Sequence, residues 1–318
     1  MGEAWRYFRH TKKNHHNTPS PTNSVPFVAT VGFFDGVHRG HQYVMARLIR
    51  DAKEHDMQSM VVTFRQHPRQ VLQKDFIPKL LTPYKDKKRL LAQTSVDRIE
   101  GITFTKEFAS LSAGEFMQML HDDYHVKRLL IGYDNRFGRN RSETFEDYVR
   151  IGKEIGIEVV CLDALDNNGQ NISSSVVRRL LAEGDVAKAN ENLGHEFGFE
   201  GTVVRGFGEG RKLGFPTANM KITTEQLIPK RGVYAVKVSV EGFAEEFAGM
   251  MNIGCRPTYG EFGETVEVNI LDFDADIYDR RISVRFIDRI RDEKRFGSIE
   301  ELKAQLSTDK EQIKRIIR

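Results

Sequence analysis

The chain has 318 residues, more than one core usually holds, because single hydrophobic cores stop growing at about 250–300 residues. Apolar residues make up 39% and charged residues 29%, with no low-complexity block, which excludes a disordered or fibrous chain. A formal net charge of +3 is too small for a protein that tracks a nucleic-acid backbone with a face of Lys and Arg, and it is compatible with anionic small ligands.

Cys161 and Cys255 have no ligand-like spacing and suggest a reduced compartment. Met1 to His16 lacks an apolar signal core, and no run approaches the roughly 20 apolar residues of a membrane span. A cytoplasmic protein is expected, a monomer or weak oligomer with no nucleic-acid or membrane partner.

The polar stretch from Lys12 to Ser24, with His15 and His16 flanked by Asn14 and Asn17, reads as a surface loop. From Phe27 onward, short apolar runs alternate with helical stretches: Phe27 to Val31, Met60 to Phe64, Leu129 to Tyr133 and Glu158 to Leu162 are strand-like, and Tyr43 to Ile49 is helical. That alternation predicts a parallel α/β sheet. Ser112 followed by Glu115 is a capping box that opens a further helix. Past about Gly194 the pattern changes. Phe199 to Arg205, Gly232 to Val240, Ala244 to Ile253, Thr265 to Phe273 and Ile282 to Ile290 are strands without intervening helices, which predicts an antiparallel barrel or sandwich. Ser298 with Glu301, and Thr308 with Glu311, have capping-box spacing and predict two terminal helices. A short helix between Asp185 and Glu196 is expected to join two domains, 1–187 and 188–318.

Two glycine-rich constellations carry chemistry. The first, Gly32-Phe33-Phe34-Asp35-Gly36-Val37-His38-Arg39-Gly40-His41, follows a strand and precedes a helix with Val44, Met45, Leu48 and Ile49 on one face. N–H groups at such a helix start suit an anion. His38 and His41 are three apart and can converge on one ligand. The tetrapeptide alone also fits half a metal site or exposed first-turn residues. Asp35 fits either a turn residue or a group orienting a histidine or a magnesium-bound water. Further on, Ile172-Ser173-Ser174-Ser175-Val176-Val177-Arg178 sets three hydroxyls and a guanidinium at a helix start; each serine singly is a good cap, and together with Arg178 they suit a polyphosphate.

The second constellation begins at Gly206-Phe207-Gly208-Glu209-Gly210-Arg211, which alone reads as a mobile turn. It gains meaning from Phe215-Pro216-Thr217-Ala218-Asn219, where Thr217 and Asn219 alternate and, in an extended segment, face one side as oxygen donors for magnesium and a phosphate.

The first constellation, with Ile172 to Arg178, Val62-Thr63-Phe64, His67-Pro68 and Gly132-Tyr133-Asp134-Asn135-Arg136-Phe137-Gly138, resembles the nucleotidyltransferase half of the bacterial bifunctional riboflavin kinase/FMN adenylyltransferases. The resemblance implies attack of the FMN phosphate on the α-phosphorus of ATP with loss of pyrophosphate. It makes His38, His41 and Arg178 the groups that offset phosphate charge, with Gly32, Phe34, Asp35, Gly40, Asp134, Ser173, Ser174 and Ser175 around the nucleotide. Departures occur at Asn135, where the family usually has an aromatic residue, near Ser142, where it has a glycine, and at Arg65-Gln66-His67-Pro68, which replaces an acidic-Pro-His-Pro run.

The run Gly210-Arg211-Lys212-Leu213-Gly214-Phe215-Pro216-Thr217-Ala218-Asn219 resembles the riboflavin kinase signature, as do Gly249 to Tyr259 and Thr265 to Phe273. By that resemblance Glu267 is the general base for the ribityl 5′-hydroxyl and Thr217 and Asn219 hold Mg2+. Gly208, Gly210, Arg211, Lys212, Gly214, Pro216 and Asn252 then line the nucleotide and flavin. Asn269 replaces the usual histidine, and Arg295-Phe296 resembles the segment near the isoalloxazine ring. Riboflavin, FMN and ATP are therefore the expected substrates, and FMN and FAD the products. A nucleotidyltransferase for another phosphate ester with a merely binding barrel, a flavin-binding regulator without turnover, and a class I tRNA synthetase fragment are the competing readings. The presence of Glu267, Thr217 and Asn219 disfavours the first, and Ser173 to Arg178, where a lysine-rich loop would stand, disfavours the last.

Overall fold

Phe27–Val31 forms the central strand, β1, of a five-stranded parallel sheet completed by β2 (Gln58–Phe64), β3 (Arg98–Ile102), β4 (Val126–Gly132) and β5 (Glu158–Leu162) in the order β3-β2-β1-β4-β5. The computed structural model describes residues 25–132, 136–139, 142–162, 172–206, 208–222, 225–255 and 264–317. Asp134, Asn135 and the loop residues Arg256 to Tyr259 lie outside that set.

Alternation along β1 explains the layering. Phe27, Ala29 and Val31 join the core formed with α5 (Ala113–Tyr124) and α6 (Phe145–Ile155), whereas Val28 joins Met45 and Leu48 of α1 (Arg39–Glu54) and Leu91 of α3 (Tyr84–Ala92). Both faces are thus covered, as a buried parallel sheet requires. Short helices α2 (Pro68–Leu72) and α4 (Lys106–Ala109) follow β2 and β3. The order reverses between β1 and β4, so the crevice beyond the carboxyl ends of these strands is the place where such sheets bind ligands. Ser112 and Glu115 close the expected capping box, with the Glu115 N–H donating to Ser112 Oγ at 3.2 Å.

The second unit is a closed six-stranded barrel, β10-β7-β6-β11-β8-β9, built from β6 (Gly198–Val204), β7 (Ala218–Lys221), β8 (Gly232–Val240), β9 (Glu246–Cys255), β10 (Glu264–Ile270) and β11 (Arg281–Arg291). Val203, Met220, Tyr234, Met251, Ile253, Val266, Val268 and Phe286 fill it, together with apolar residues of α7 (Ser174–Glu183) and α8 (Val186–Leu193). A one-turn helix, α9 (Glu209–Lys212), lies between β6 and β7.

Two features differ from expectation. β3 was not anticipated, because Arg98-Ile99-Glu100-Gly101-Ile102 offers no apolar run. The two terminal helices are one, α10 (Ile299–Ile316), capped by Ser298. Thr308 does not start a helix; its hydroxyl donates back to the Ala304 carbonyl at 3.0 Å, a bond that lets the helix run through. Buried Asp309 then accepts from Arg291 Nε at 2.9 Å and ties α10 to β11. By packing, the chain divides into two compact units, residues 1–78 with 82–170 and residues 79–81 with 171–318, and α7 lies in the unit that contains the barrel.

Candidate active sites

The first site grows from the turn between β1 and α1. Phe34, Gly36 and Val37 all adopt positive φ, of 54°, 83° and 40°, and two of them are not glycine. Such a backbone persists only when its surroundings hold it. Several bonds do so. Buried Asp35 accepts from the Thr82 N–H at 3.0 Å, and the Gly36 N–H donates to Thr82 Oγ1 at 3.0 Å. Gly32 leaves room for the Phe34 ring, which would lie 2.7 Å from a Cβ at that position. Asp35 is therefore turned to Thr82 and locks the turn.

His38 caps α1, its Nδ1 accepting from the His41 N–H at 3.4 Å, which assigns its proton to Nε2. The His38 and His41 rings stack with centroids 3.6 Å apart, so the two histidines do converge. Gly40, in the first turn of α1, separates them. Burial, the facing His38 and Lys87 together hold the His41 imidazole well below its usual range. It is neutral at pH 7 and offers hydrogen bonds rather than a charge. Its Nδ1 is buried with no partner, which is uncommon for a buried polar atom and fits a ligand-facing group.

Lys87 was not anticipated. It sits in a helix with Lys85 and Lys88, a composition that resembles a solvated face, yet it is buried. The available signal was its spacing: Lys87 and the buried Leu91 are four apart on one face.

Ser173 caps α7, accepting from the Val176 N–H at 3.4 Å, and Ser174 and Ser175 stand in the first turn. Arg178 Nε donates to the Lys79 carbonyl at 3.1 Å. All four residues belong to the unit that contains the barrel, whereas His38 and His41 belong to the sheet unit. At the departure Arg65-Gln66-His67-Pro68 the residues have local partners: Arg65 Nε donates to the Gly101 carbonyl at 2.8 Å, Gln66 to Phe104 at 2.9 Å, and His67 caps α2. Ser142 is exposed.

The second site lies on the outer wall of the barrel. Val266 and Val268 face the core, so Glu267 points the other way, and its register partners are Asn219 on β7 and Asn252 on β9. One carboxylate thus stands between two amides. Thr217 Oγ1 donates to Glu267 Oε2 at 3.4 Å. Gly206 lies against Asn219, whose amide nitrogen is 2.1 Å from where a Cβ would be, so a side chain there would displace that amide. Gly208 caps α9, Gly210 lies within it, and Gly214 follows it. Arg211 and Lys212 are exposed, and Lys212 pairs with Glu209 at 2.9 Å. Pro216 is held by its carbonyl, which accepts from Asn269 Nδ2 at 2.7 Å. Asn269 is only 5% exposed. The amide therefore fixes the segment that presents Thr217.

A doubly wound sheet with stacked histidines at a helix start, joined to a barrel that sets a carboxylate between oxygen donors, defines a two-site phosphate-transferring enzyme. Comparison narrows the class. The FAD synthetase family model matches residues 20–176 and the riboflavin kinase model residues 193–317. The bifunctional riboflavin kinase/FMN adenylyltransferase of Escherichia coli K12 is 39% identical over 284 residues, 89% of this chain and 90% of the relative. That of Bacillus subtilis is 36% identical over 292 residues, 90% of each. The chain belongs to the family of bifunctional riboflavin kinase/FMN adenylyltransferases. A crystal structure described as a macrolide-efflux protein from Streptococcus pneumoniae, 30% identical, superposes with a TM-score of 0.82 over 92% of this chain and 95% of that one. Among the described residues no helix is long and apolar enough to cross a membrane.

Proposed function

We infer that the chain catalyses two consecutive steps: riboflavin and ATP give FMN and ADP in residues 188–318, and FMN and ATP give FAD and pyrophosphate in residues 1–187. The observation that carries the reading is the placement of Glu267 between Asn219 and Asn252 with the Thr217 hydroxyl on its carboxylate.

In the kinase step Glu267 accepts the proton of the ribityl 5′-hydroxyl while that oxygen bonds to the γ-phosphorus of ATP and the bond to the β-phosphate oxygen breaks. Phosphoryl transfer forms little bond early, so orientation by Asn219, Asn252 and Thr217 matters more than strong basicity. Thr217 and Asn219 supply neutral oxygens beside one carboxylate, a hard donor set that fits Mg2+, an ion that usually keeps waters and phosphate oxygens as its other ligands. When bound, Mg2+ would neutralise phosphate charge. Gly208, Gly210, Arg211, Lys212, Gly214 and Pro216, in and around α9, would line the nucleotide.

In the adenylyl step a phosphate oxygen of FMN bonds to the α-phosphorus and pyrophosphate leaves. The attacking phosphate is already ionised, so no base is required. His38 and His41 donate hydrogen bonds to phosphate oxygens. The family resemblance adds Ser173, Ser174, Ser175 and Arg178, of the unit that contains the barrel, as ligands of the polyphosphate. The FAD synthetase match runs through residue 176 and so takes in Ser173, Ser174 and Ser175 but not Arg178. Gly32, Phe34 and Gly40 would line the nucleotide, with Asp35 holding the turn through Thr82; Asp134, which the resemblance adds, lies outside the described residues. Unpaired Cys161 and Cys255 support a cytoplasmic enzyme, which we take to be a monomer or weak oligomer.

Incubation with riboflavin, ATP and Mg2+, followed by chromatographic separation of flavins, should show FMN and then FAD. FMN without FAD would overturn the adenylyl assignment, and neither product would overturn both.

A further inference from the structure

Lys87 is a buried lysine that neither proposed step uses. Its Nζ donates to the Phe33 carbonyl at 2.8 Å and to the Phe64 carbonyl at 2.9 Å. Phe64 ends β2 and Phe33 lies just past β1, so one ammonium bridges the exits of two neighbouring parallel strands. The Phe33 ring lies 3.9 Å from the same nitrogen, a cation–π contact in a desolvated place. Thr63 Oγ1 donates to the Phe33 carbonyl as well, at 3.1 Å.

These bonds act on the turn that seats the histidines. The carbonyl and N–H of a trans peptide point in opposite directions, so drawing the Phe33 carbonyl onto Lys87 turns the Phe34 N–H away from it. Phe34 is the first of the positive-φ residues that carry the chain to His38. Burial costs the lysine its hydration, and the two carbonyls and the Phe33 ring offset that cost. The charge is also felt at the site: Lys87 is one of the groups that keep His41 neutral, and Asp35 in turn supports the Lys87 charge.

Resting on the adenylyl-transfer reading of this turn, we propose that Lys87 is the positioning residue of that step, its ammonium clamping the Phe33–Phe34 peptide and supplying a fixed positive charge beneath the His38/His41 pair. It touches no reacting atom. The groups facing it are Asp35, His41 with its stacked partner His38, and Tyr84 of its own helix, whose ring is 5.8 Å from Nζ and which Arg65 also approaches at 5.8 Å. Burial lowers the Lys87 ammonium from 10.5 to about 8, so its charge is lost at moderately alkaline pH.

The test uses the full chain and measures FAD from FMN and FMN from riboflavin in the same preparation across pH. Wild type should lose FAD formation as pH rises through about 8 while FMN formation does not share that limb. Lys87→Met should lower kcat for FAD formation by about 10²-fold with little change in KM for FMN, the scale of a small misplacement. Lys87→Arg, which keeps its charge at all these pH values, should recover part of kcat and lack the alkaline limb. Thr63→Val, which removes only the neighbouring bond to the Phe33 carbonyl, should keep the limb where it is. If Lys87→Met does not fold, the Lys87→Arg profile decides. FAD formation within about threefold of wild type in Lys87→Met, or an unchanged alkaline limb in Lys87→Arg, would overturn the assignment. A wild-type protein that makes no FAD would overturn the reading on which it rests, and this assignment with it.

Discussion

On the proposed reading the two sites handle phosphate with opposite local chemistry. On the sheet unit the turn after β1 presents stacked, neutral imidazoles, and its one carboxylate, Asp35, is buried against Thr82. On the barrel a carboxylate stands at the centre, flanked by two amides and a hydroxyl. The nucleophiles explain the contrast. A phosphate oxygen arrives ionised and would be repelled by a free carboxylate, whereas a ribityl hydroxyl must give up a proton and needs one. The scaffolds differ to match. A parallel sheet gathers loops at the carboxyl ends of its strands, next to a helix start that favours anions. A barrel wall instead fixes side chains by strand register, which places Glu267 relative to Asn219 and Asn252 without any loop.

If the contrast is real, single substitutions should separate the activities. The largest effect is expected at Glu267: Glu267→Ala should lower FMN formation by about 10³-fold or more and leave FMN-to-FAD conversion within about twofold, read by flavin chromatography from each starting substrate. His41→Ala should do the reverse, lowering FAD formation by about 10²-fold to 10³-fold, as loss of one preorganised donor does. The same substitution should alter acid stability. Below about pH 6.5 an unfolded chain binds a proton that folded His41 refuses, so the stability of the wild-type sheet unit falls as pH drops, and His41→Ala should flatten that fall in urea unfolding followed against pH.

Lys87 gives a medium-sized effect at the alkaline end. Its lysine value drops from 10.5 to about 8 on folding, so between those limits the unfolded chain carries a proton that the folded chain has released. Stability must rise with pH across that window, by about 3 kcal/mol in all, and Lys87→Met should lack the rise. The smallest effect belongs to Asn269. Asn269→Ala removes the bond to the Pro216 carbonyl and should cost FMN formation about tenfold, with FAD formation unchanged, since a buried hydrogen bond is worth about 1–1.5 kcal/mol. Asn269→His, which restores a donor, should recover most of it.

The sequence shows these sites unevenly. Strands with apolar or alternating runs, such as Phe27–Val31, Glu158–Leu162 and Gly232–Val240, stood where their patterns put them. β3 did not announce itself, because Arg98, Glu100 and Gly101 break any such run, and its place is set by pairing with β2. Capping signals were ambiguous in a physical sense: the same Ser/Thr-to-Glu spacing opens a helix at Ser298 and lies inside one at Thr308, where the hydroxyl bonds backward instead. At the sites, His38, His41, Thr217, Asn219 and Glu267 were visible as motif residues. Their mutual geometry was not, since it follows from register and ring stacking. Lys87 was hidden among lysines of similar spacing, and only its burial on the Leu91 face distinguishes it.

Two separate sites working in sequence can be tested by mixing. Glu267→Ala and His41→Ala proteins, each incubated alone with riboflavin, ATP and Mg2+, should yield no FAD, the first for want of FMN and the second for want of adenylyl transfer. Combined in one vessel they should restore FAD through free FMN made by one and consumed by the other. A mixture that accumulates FMN but forms no FAD, with both proteins folded, would contradict the assignment of one step to each site.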